Sequence, residues 1–177
     1  MDRKEFLKNV CGLGVCGCVL NLPVAMDSLH GEDAAIDQRL VFARHQLSKM
    51  VGFMAADTTS NAAVGILQKT GRECAKLGTL HANFKNDPEG YFAAAKKSWG
   101  TDFAWDKDSN RITVAVAEGQ CGCPLVDAKR TPVLWCNCSV GYQMETFETI
   151  FGKRIHASLK ESKLNGGKRC IFEIRLT

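Results

Sequence analysis

Apolar side chains recur every three or four residues in four segments of the chain, which is the spacing of helices that bury one face. The segments lie at about residues 33–56, 58–77, 87–100 and 139–152. The inward positions expected for the first segment are Ile36, Leu40, Leu47, Met50 and Met54. Those expected for the second are Ala63, Ile66, Leu67, Thr70, Cys74 and Leu77. Gly71 interrupts the second stripe, which indicates either a break in this helix or the close approach of another segment.

Two other regions alternate apolar and polar residues, as strands with one buried face do. Residues 101–117 contain two such runs around a polar turn at residues 106–110, and residues 154–176 contain two more around Asn165-Gly166-Gly167. Both regions are therefore predicted to be β-hairpins. The fold class that follows is α+β, with an antiparallel sheet built from two hairpins and covered by the N-terminal helices and one C-terminal helix.

Several residues indicate where two of the helices begin and end. Asp87 is an N-cap that is followed by proline at the first helical position. For the last helix, Ser139 is expected to be the N-cap after an extended segment at residues 132–135, and Gly152 is expected to end it.

Residues 1–26 differ from the rest of the chain. A charged start is followed by an almost uncharged run at residues 10–22, which is too short to span a bilayer, and by the small residues Val24 and Ala25. This is the pattern of an export signal, and R-K-E-F-L-K is similar to the twin-arginine signal with Lys4 in place of the second arginine. We expect export to the periplasm or the cell surface if the signal is used, and a cytoplasmic location otherwise.

The length and charge of the chain fit one domain after this segment. The chain has 177 residues and a formal net charge of +4, and no concentrated basic run is interleaved with aromatic side chains. Nucleic-acid binding is therefore not indicated. A single α+β domain of ligand-binding type is expected over residues 33–177.

Cysteine content points to the candidate chemistry. The chain has nine cysteines, and five of them lie in a short window that holds two C-x-C pairs. These five are Cys121, Cys123, Cys136, Cys138 and Cys170. Thiolates suit Zn²⁺, with an iron–sulfur cluster as the alternative cofactor. Redox or disulfide pairing and inert packing as small apolar side chains are the other interpretations.

The predicted elements place three of these cysteines in environments that call for a partner. A helix N-terminus lowers the pKa of a nearby thiol, so Cys138 and Cys136 are expected to have more thiolate character than an ordinary cysteine. Cys170 falls on the apolar face of the last strand, where an unpaired thiolate is poorly solvated. We therefore predict that Cys136 and Cys170 share a metal ion. Cys74 is expected to be a buried thiol and is an additional candidate ligand.

The order of motifs in the second half of the chain resembles a known family. The chain has the order W-C-N-C-S-V-G-Y, then a helix that ends F-G-K, then a hairpin that ends G-G-K-R-C-I-F-E-I. This order resembles the C-terminal half of the hydrocarbon-binding domain first named for vinyl reductase. The resemblance covers roughly residues 71–177. With C-G-C-P added, the pattern looks still more like a cysteine-rich group of uncharacterised bacterial proteins related to that domain.

This resemblance implies a zinc site. In the phenol sensors of the family, zinc is held by three cysteines and a glutamate, and Cys136 and Cys170 fall on the first and last of these positions. The Glu-x-x-Cys that supplies the middle ligands has no full counterpart here, because only Glu161 falls in that region.

Three hypotheses about function follow. The first is a small-molecule-binding or sensory domain with a cysteine-thiolate zinc site and a small apolar or aromatic ligand. The second is a hydrolase, similar to the amino-thiazoline carboxylate hydrolase family, that uses a zinc-bound water or a helix-end cysteine. His156 and Glu161 are its only nearby candidate bases, and His156 is also a candidate ligand. The third is a C-x-C dithiol redox protein. A homodimer is compatible with each, and no stable membrane span is expected after processing.

Overall fold

The computed structural model describes the backbone of residues 38–57 and 60–177, and the side chains of residues 39–56 and 61–177. The expected export signal at residues 1–26 lies outside the described residues, as does Ile36, the first expected inward position.

The described chain contains four helices and four strands. The helices are α1 (Gln38–Asp57), α2 (Ser60–Leu77), α3 (Pro88–Trp99) and α4 (Cys136–Phe151). The strands are β1 (Asp102–Asp106), β2 (Arg111–Ala115), β3 (Ile155–Glu161) and β4 (Ile171–Leu176). Short 3₁₀ segments occur at His81–Phe84, Val133–Trp135 and Lys163–Asn165. The predicted α+β class is confirmed.

The sheet consists of the two predicted hairpins. β1 pairs with β2 and β3 pairs with β4, and the hairpins join through β2 and β4 in the order β1-β2-β4-β3, with every pairing antiparallel. Ile112 lies opposite Ile174, and Val114 lies opposite Phe172. These four side chains are buried, so the alternation in the sequence gives the sheet one apolar face.

Helix α4 covers this apolar face. Val140 and Phe147 are buried in one cluster with the sheet, and Met144 and Phe151 pack at its edge, as the stripe predicted. From α3, Tyr91 adds an edge-on contact with Phe147, with 6.2 Å between the ring centroids. The final hairpin is thereby held against α4.

Helices α2 and α4 cross closely at two glycines. A Cβ atom on Gly71 would lie 2.7 Å from the carbonyl carbon of Cys138 and 2.9 Å from the backbone nitrogen of Tyr142. A Cβ atom on Gly141 would lie 2.6 Å from the carbonyl carbon of Gln68. Only glycine fits at either position. The close approach predicted at Gly71 is confirmed, and it fixes the first turn of α4 against α2.

An ion pair reinforces the same crossing. Arg72 Nη1 donates to Glu148 Oε2 at 2.6 Å and to Glu145 Oε2 at 3.0 Å, and its Nη2 donates to Glu148 Oε1 at 3.1 Å. The three side chains are partly buried. Hydrogen bonding from Arg72 holds the pKa of Glu148 below its ordinary value of 4.5.

The buried face of α2 is rotated from the predicted one. The helix buries Ala63, Leu67, Gly71 and Ala75. Four residues that were expected to face inward are exposed, namely Ile66, Thr70, Cys74 and Leu77. The close crossing with α4 admits only small side chains, so the face around Gly71 turns inward and the larger apolar residues turn outward. In α1, similarly, Val51 is buried and Met50 is exposed.

The predicted ends of α3 and α4 are confirmed. Asp87 Oδ1 accepts a hydrogen bond from the backbone N–H of Gly90 at 2.9 Å, and Pro88 is the first residue of α3. Gly152 ends α4 with φ of 65°, a left-handed conformation that suits glycine.

The predicted start of α4 was wrong. Residues 133–135 are not extended but form a 3₁₀ turn that leads directly into the helix at Cys136, so Ser139 lies within the helix and is not its N-cap. Trp135, at the junction, is buried, and its burial favours this compact path over an extended one. Cys136 and Cys138 therefore both lie in the first turn of α4.

Candidate functional site

Three separate segments bring the predicted cysteines to one end of the sheet. Cys121 and Cys123 lie in the loop that follows β2, Cys136 and Cys138 lie in the first turn of α4, and Cys170 immediately precedes β4. We call these five residues the thiol cluster.

The loop after β2 is tied to the second hairpin on both sides of Cys170. The backbone N–H of Val116 donates to the carbonyl oxygen of Cys170 at 3.0 Å, and Arg169 Nε donates to the carbonyl oxygen of Val116 at 2.7 Å. Further along, Lys163 Nζ donates to the carbonyl oxygen of Gln120 at 2.9 Å. These bonds bring Cys121, the next residue, towards Cys170.

The far end of the same loop is tied to α1. Arg44 Nε donates to the carbonyl oxygen of Pro124 at 2.6 Å, and the hydroxyl oxygens of Ser48 and Thr131 lie 3.1 Å apart. Val126 is buried between these attachments. The loop is thus fixed at several points, although it contains no regular secondary structure in its course past the cysteines.

Cys136 is the most buried member of the thiol cluster. Its side chain is 7% exposed, and its Sγ lies 3.0 Å from the hydroxyl oxygen of Ser162, which is itself buried and accepts a hydrogen bond from the backbone N–H of Leu164. Cys136 therefore connects the start of α4 to the turn between β3 and β4.

The other thiols lie in largely apolar surroundings. Cys121, Cys123 and Cys138 pack against a buried cluster that includes Trp135 and Leu67. Cys170 packs instead against the main core between α4 and the sheet. The thiol cluster thus has members against two of the three apolar clusters formed by the described residues.

Burial raises the pKa of three of these thiols. Desolvation is the main cause for Cys121, for Cys136 and for Cys138, whose pKa is raised to about 12. The expectation of enhanced thiolate character at the helix start was therefore wrong, because loss of water outweighs the helix dipole. A charge on Cys170 raises the pKa of Cys121 and of Cys136 further, and a charge on Cys121 acts likewise on Cys136.

Thiol side chains are chemically suited to bind a soft metal ion, but the five cysteines are not arranged around a common centre as metal ligands are. The six cysteines from Cys74 to Cys170 are all free thiols. Within the described residues, no three His, Cys, Asp or Glu side chains are placed to hold one ion. The zinc site stays a prediction, and filling it requires the thiols to turn towards a common centre.

The additional candidate ligands are placed differently from one another. Glu161 ends β3 near the cluster, where its Oε1 accepts a hydrogen bond from the backbone N–H of Arg169 at 3.2 Å. His156 is exposed at the other end of β3, five residues from Glu161 or about 16 Å along the strand. Cys74 is exposed on α2, so the prediction that it is buried was wrong, although its charge does contribute to the raised pKa of Cys138.

Two residues that position the cluster were not predicted from the sequence. Ser162 contacts Cys136. Arg169, in the segment before β4, donates to the carbonyl oxygen of Val116 just after β2 and to Asp102 Oδ2 at the start of β1, the latter at 2.7 Å. The only sequence signal for Ser162 is that a small polar residue follows the alternating run of β3. Arg169 has no signal beyond its place next to Cys170.

Two surface pockets formed by described residues have volumes of about 430 and 590 Å³, and no cysteine lines either of these two. No helix in the described ranges is long and apolar enough to cross a membrane.

The comparisons with known proteins concern the fold. No protein-family model matches the chain, and no curated protein matches it. Among solved structures, it is similar to trafficking protein particle complex subunit 3 from Naegleria fowleri, in a crystal structure with covalently bound palmitic acid. The TM-score is 0.50 at 18% identity, over 79% of this chain and 96% of that one.

A vinyl-4-reductase family protein from Methanocaldococcus jannaschii is a more distant neighbour. The TM-score is 0.38 at 15% identity, over 82% of this chain and 83% of that one. Neither the vinyl-reductase-type family nor the cysteine-rich bacterial group is shown for this chain. At 18% identity the likeness to the trafficking protein particle subunit is one of fold alone.

Proposed function

We propose that this chain is a non-enzymatic binding domain whose thiol cluster takes a soft divalent metal ion, zinc in the first place. The proposed ligands are Cys121, Cys136 and Cys170, with Cys123 or Cys138 as the fourth. One observation supports the proposal: hydrogen bonds fix the loop that carries Cys121 and Cys123 against α1 and against the second hairpin, and the buried Cys136 contacts Ser162 in that same hairpin.

The electrostatics of the cluster favour a cation as its partner. Burial raises the pKa of Cys121, Cys136 and Cys138, so these thiols are neutral in the absence of a positive charge. A bound zinc ion would stabilise the thiolates and release their protons. It would then connect α4, the loop after β2 and the start of β4, and so hold the final hairpin in place.

The same environment argues against the two alternatives that need a reactive thiolate. A thiol whose pKa lies well above neutral is a weak nucleophile for ring opening and a slow partner in disulfide exchange. Neither candidate base favours the hydrolase hypothesis, since the exposed His156 is at the far end of β3 and Glu161 Oε1 accepts a hydrogen bond from the backbone N–H of Arg169. Metal binding is therefore preferred to catalysis by a cysteine.

A small apolar ligand is a second component of the proposal. It is supported by the fold shared with a structure that carries covalently bound palmitic acid. Native mass spectrometry of the purified protein checks this component, because a retained acyl chain or aromatic molecule would add a defined mass that denaturation removes. The mass of the bare chain under gentle conditions would count against it.

The metal proposal is tested by single serine substitutions and a zinc titration. Cys136→Ser and Cys170→Ser should each abolish stoichiometric zinc uptake, measured by competition with a chromophoric chelator. Cys74→Ser, a matched control on the exposed face of α2, should leave uptake unchanged. The double variant of Cys136 and Cys170 should lose little more stability than either single variant, because one lost ligand already empties the site. Full zinc uptake by both single variants, or additive losses of stability, would contradict the shared site.

A further inference from the structure

Helix α1 is cationic over almost its whole length. From Gln38 to Ala56 it contains Arg39, Arg44, Lys49 and His45, and no aspartate or glutamate. The rest of the described chain mixes charges of both signs. Helix α1 therefore has an excess of positive charge that the net charge of the whole chain does not reveal.

The outward face of α1 also carries large apolar side chains. Phe42 and Phe53 are each 64% exposed. They are eleven residues apart, which is about three helical turns, so they project on the same side of the helix. The opposite side carries Val51, which is fully buried. The two phenylalanines are thus not part of the core, and Lys49 lies between them on the same face.

A basic pocket adjoins this face. It has a volume of about 590 Å³ and is lined by His45, Lys49, Phe53 and Arg130, among others. Arg130 Nε lies 3.7 Å from Asp127 Oδ2, so its charge is partly balanced. No described carboxylate forms an ion pair with Lys49 or His45. The pocket thus combines two cationic side chains and an imidazole with an exposed aromatic ring at its rim.

We infer that this face of α1 docks on a lipid bilayer that contains anionic lipids. Exposed phenylalanines on a cationic helix insert into the boundary between headgroups and acyl chains, while lysine and arginine attract the negative surface. The pocket between Lys49 and Arg130 would receive an anionic headgroup. Charge complementarity selects this occupant over a second copy of the chain, since pairing two α1 faces would bring like charges together.

Vesicle co-sedimentation with the full chain tests this inference. The protein should bind vesicles of phosphatidylcholine mixed with phosphatidylglycerol, and binding should weaken as salt is added. It should bind pure phosphatidylcholine vesicles much less. The Lys49→Gln, Arg130→Gln double variant should reduce the partition coefficient roughly thirtyfold, because each basic residue near the surface contributes a factor of about five. The Phe42→Ser, Phe53→Ser double variant should also reduce binding strongly.

Matched controls come from α3, which lies away from this face. Lys97→Gln and Trp99→Ser remove an exposed charge and an exposed aromatic ring there, and both should leave binding unchanged. All these variants alter exposed positions, so their melting temperatures should match that of the unaltered chain. Equal binding by the α1 variants and the controls would overturn the inference and place any membrane contact elsewhere. Absence of binding to the mixed vesicles would also overturn the inference. So would a chain that does not bind vesicles but forms a dimer that the Phe42→Ser, Phe53→Ser double variant cannot form.

Discussion

Replacing Gly71 by alanine should destabilise the chain, whereas the same replacement at Gly65 should not. Both glycines lie in α2, so both substitutions bring the same gain in helix propensity, up to about 1 kcal/mol. They differ in what the new methyl group meets. At Gly65 there is no neighbouring atom within 4 Å, whereas at Gly71 the methyl group would meet backbone atoms of Cys138 and Tyr142.

The size of the effect follows from those contacts. The carbonyl carbon of Cys138 would be 2.7 Å away and the nitrogen of Tyr142 2.9 Å away. Backbone atoms inside a helix cannot rotate aside, so α2 and α4 must separate. Overpacking of this kind costs about 1–3 kcal/mol and occasionally more, and the contact here belongs at the upper end. After the gain in propensity, Gly71→Ala should lose about 2 kcal/mol or more, whereas Gly65→Ala should be neutral or stabilised.

Urea unfolding followed by far-UV circular dichroism and tryptophan fluorescence measures both variants. Trp135 lies just before α4, so its emission also reports displacement of the helix start next to the thiol cluster. Equal stability of the two variants would refute the described crossing of α2 and α4, whatever the fate of the cysteines.

Three further predictions concern the core, the ion pair and a helix cap. Trp135→Ala and Phe172→Ala should each cost about 3–5 kcal/mol in urea unfolding, as large buried aromatic deletions do, and near-zero costs would show that these side chains are not in the core. Arg72 lowers the pKa of Glu148 in the folded state. The ionised carboxylate therefore stabilises the fold at pH values above its ordinary pKa of 4.5, and this stabilisation is lost as the pH falls through the lower pKa of the folded state. Arg72→Met should therefore lower stability at neutral pH and flatten its acid dependence, and parallel acid profiles for the two proteins would contradict this. Asp87→Ala should lower the free energy of unfolding by about 1 kcal/mol, because it removes the N-cap side chain of α3. Asp87→Asn should retain most of that stabilisation.

The sequence predicted the elements of the fold better than their faces. Alternation and helical spacing located both hairpins and the four helices, because those patterns depend on local geometry and on one buried side. Ala63 and Leu67 were placed correctly, but Ile66 and Leu77 were taken as inward because they are larger and more apolar than Ala75, which is buried in their place. The crossing at Gly71 requires small side chains, and that requirement arises only when α4 is in place.

The candidate site was predicted in its members but not in its environment. Cys136 was placed just before a helix and lies in its first turn, and Cys170 was placed on the last strand and lies immediately before it. The position of Cys121 depends on a loop held by Arg169 and Lys163, whose hydrogen bonds to that loop go to backbone carbonyls and leave no pattern in the sequence. The direction of the thiol pKa shifts also escaped prediction, since burial at Cys138 depends on packing against Trp135 and its neighbours.

Zinc content together with a free-thiol count is the sharpest test of the proposal that the thiol cluster binds a metal ion. The protein should be purified without chelators, analysed for metals by mass spectrometry, and titrated with a thiol reagent before and after zinc removal. The account predicts about one zinc ion per chain and roughly four thiols that react only after its removal, as expected for a tetrahedral thiolate site. A metal-free protein that cannot be loaded with zinc, and whose cysteines either react freely or are paired as disulfides, would contradict it.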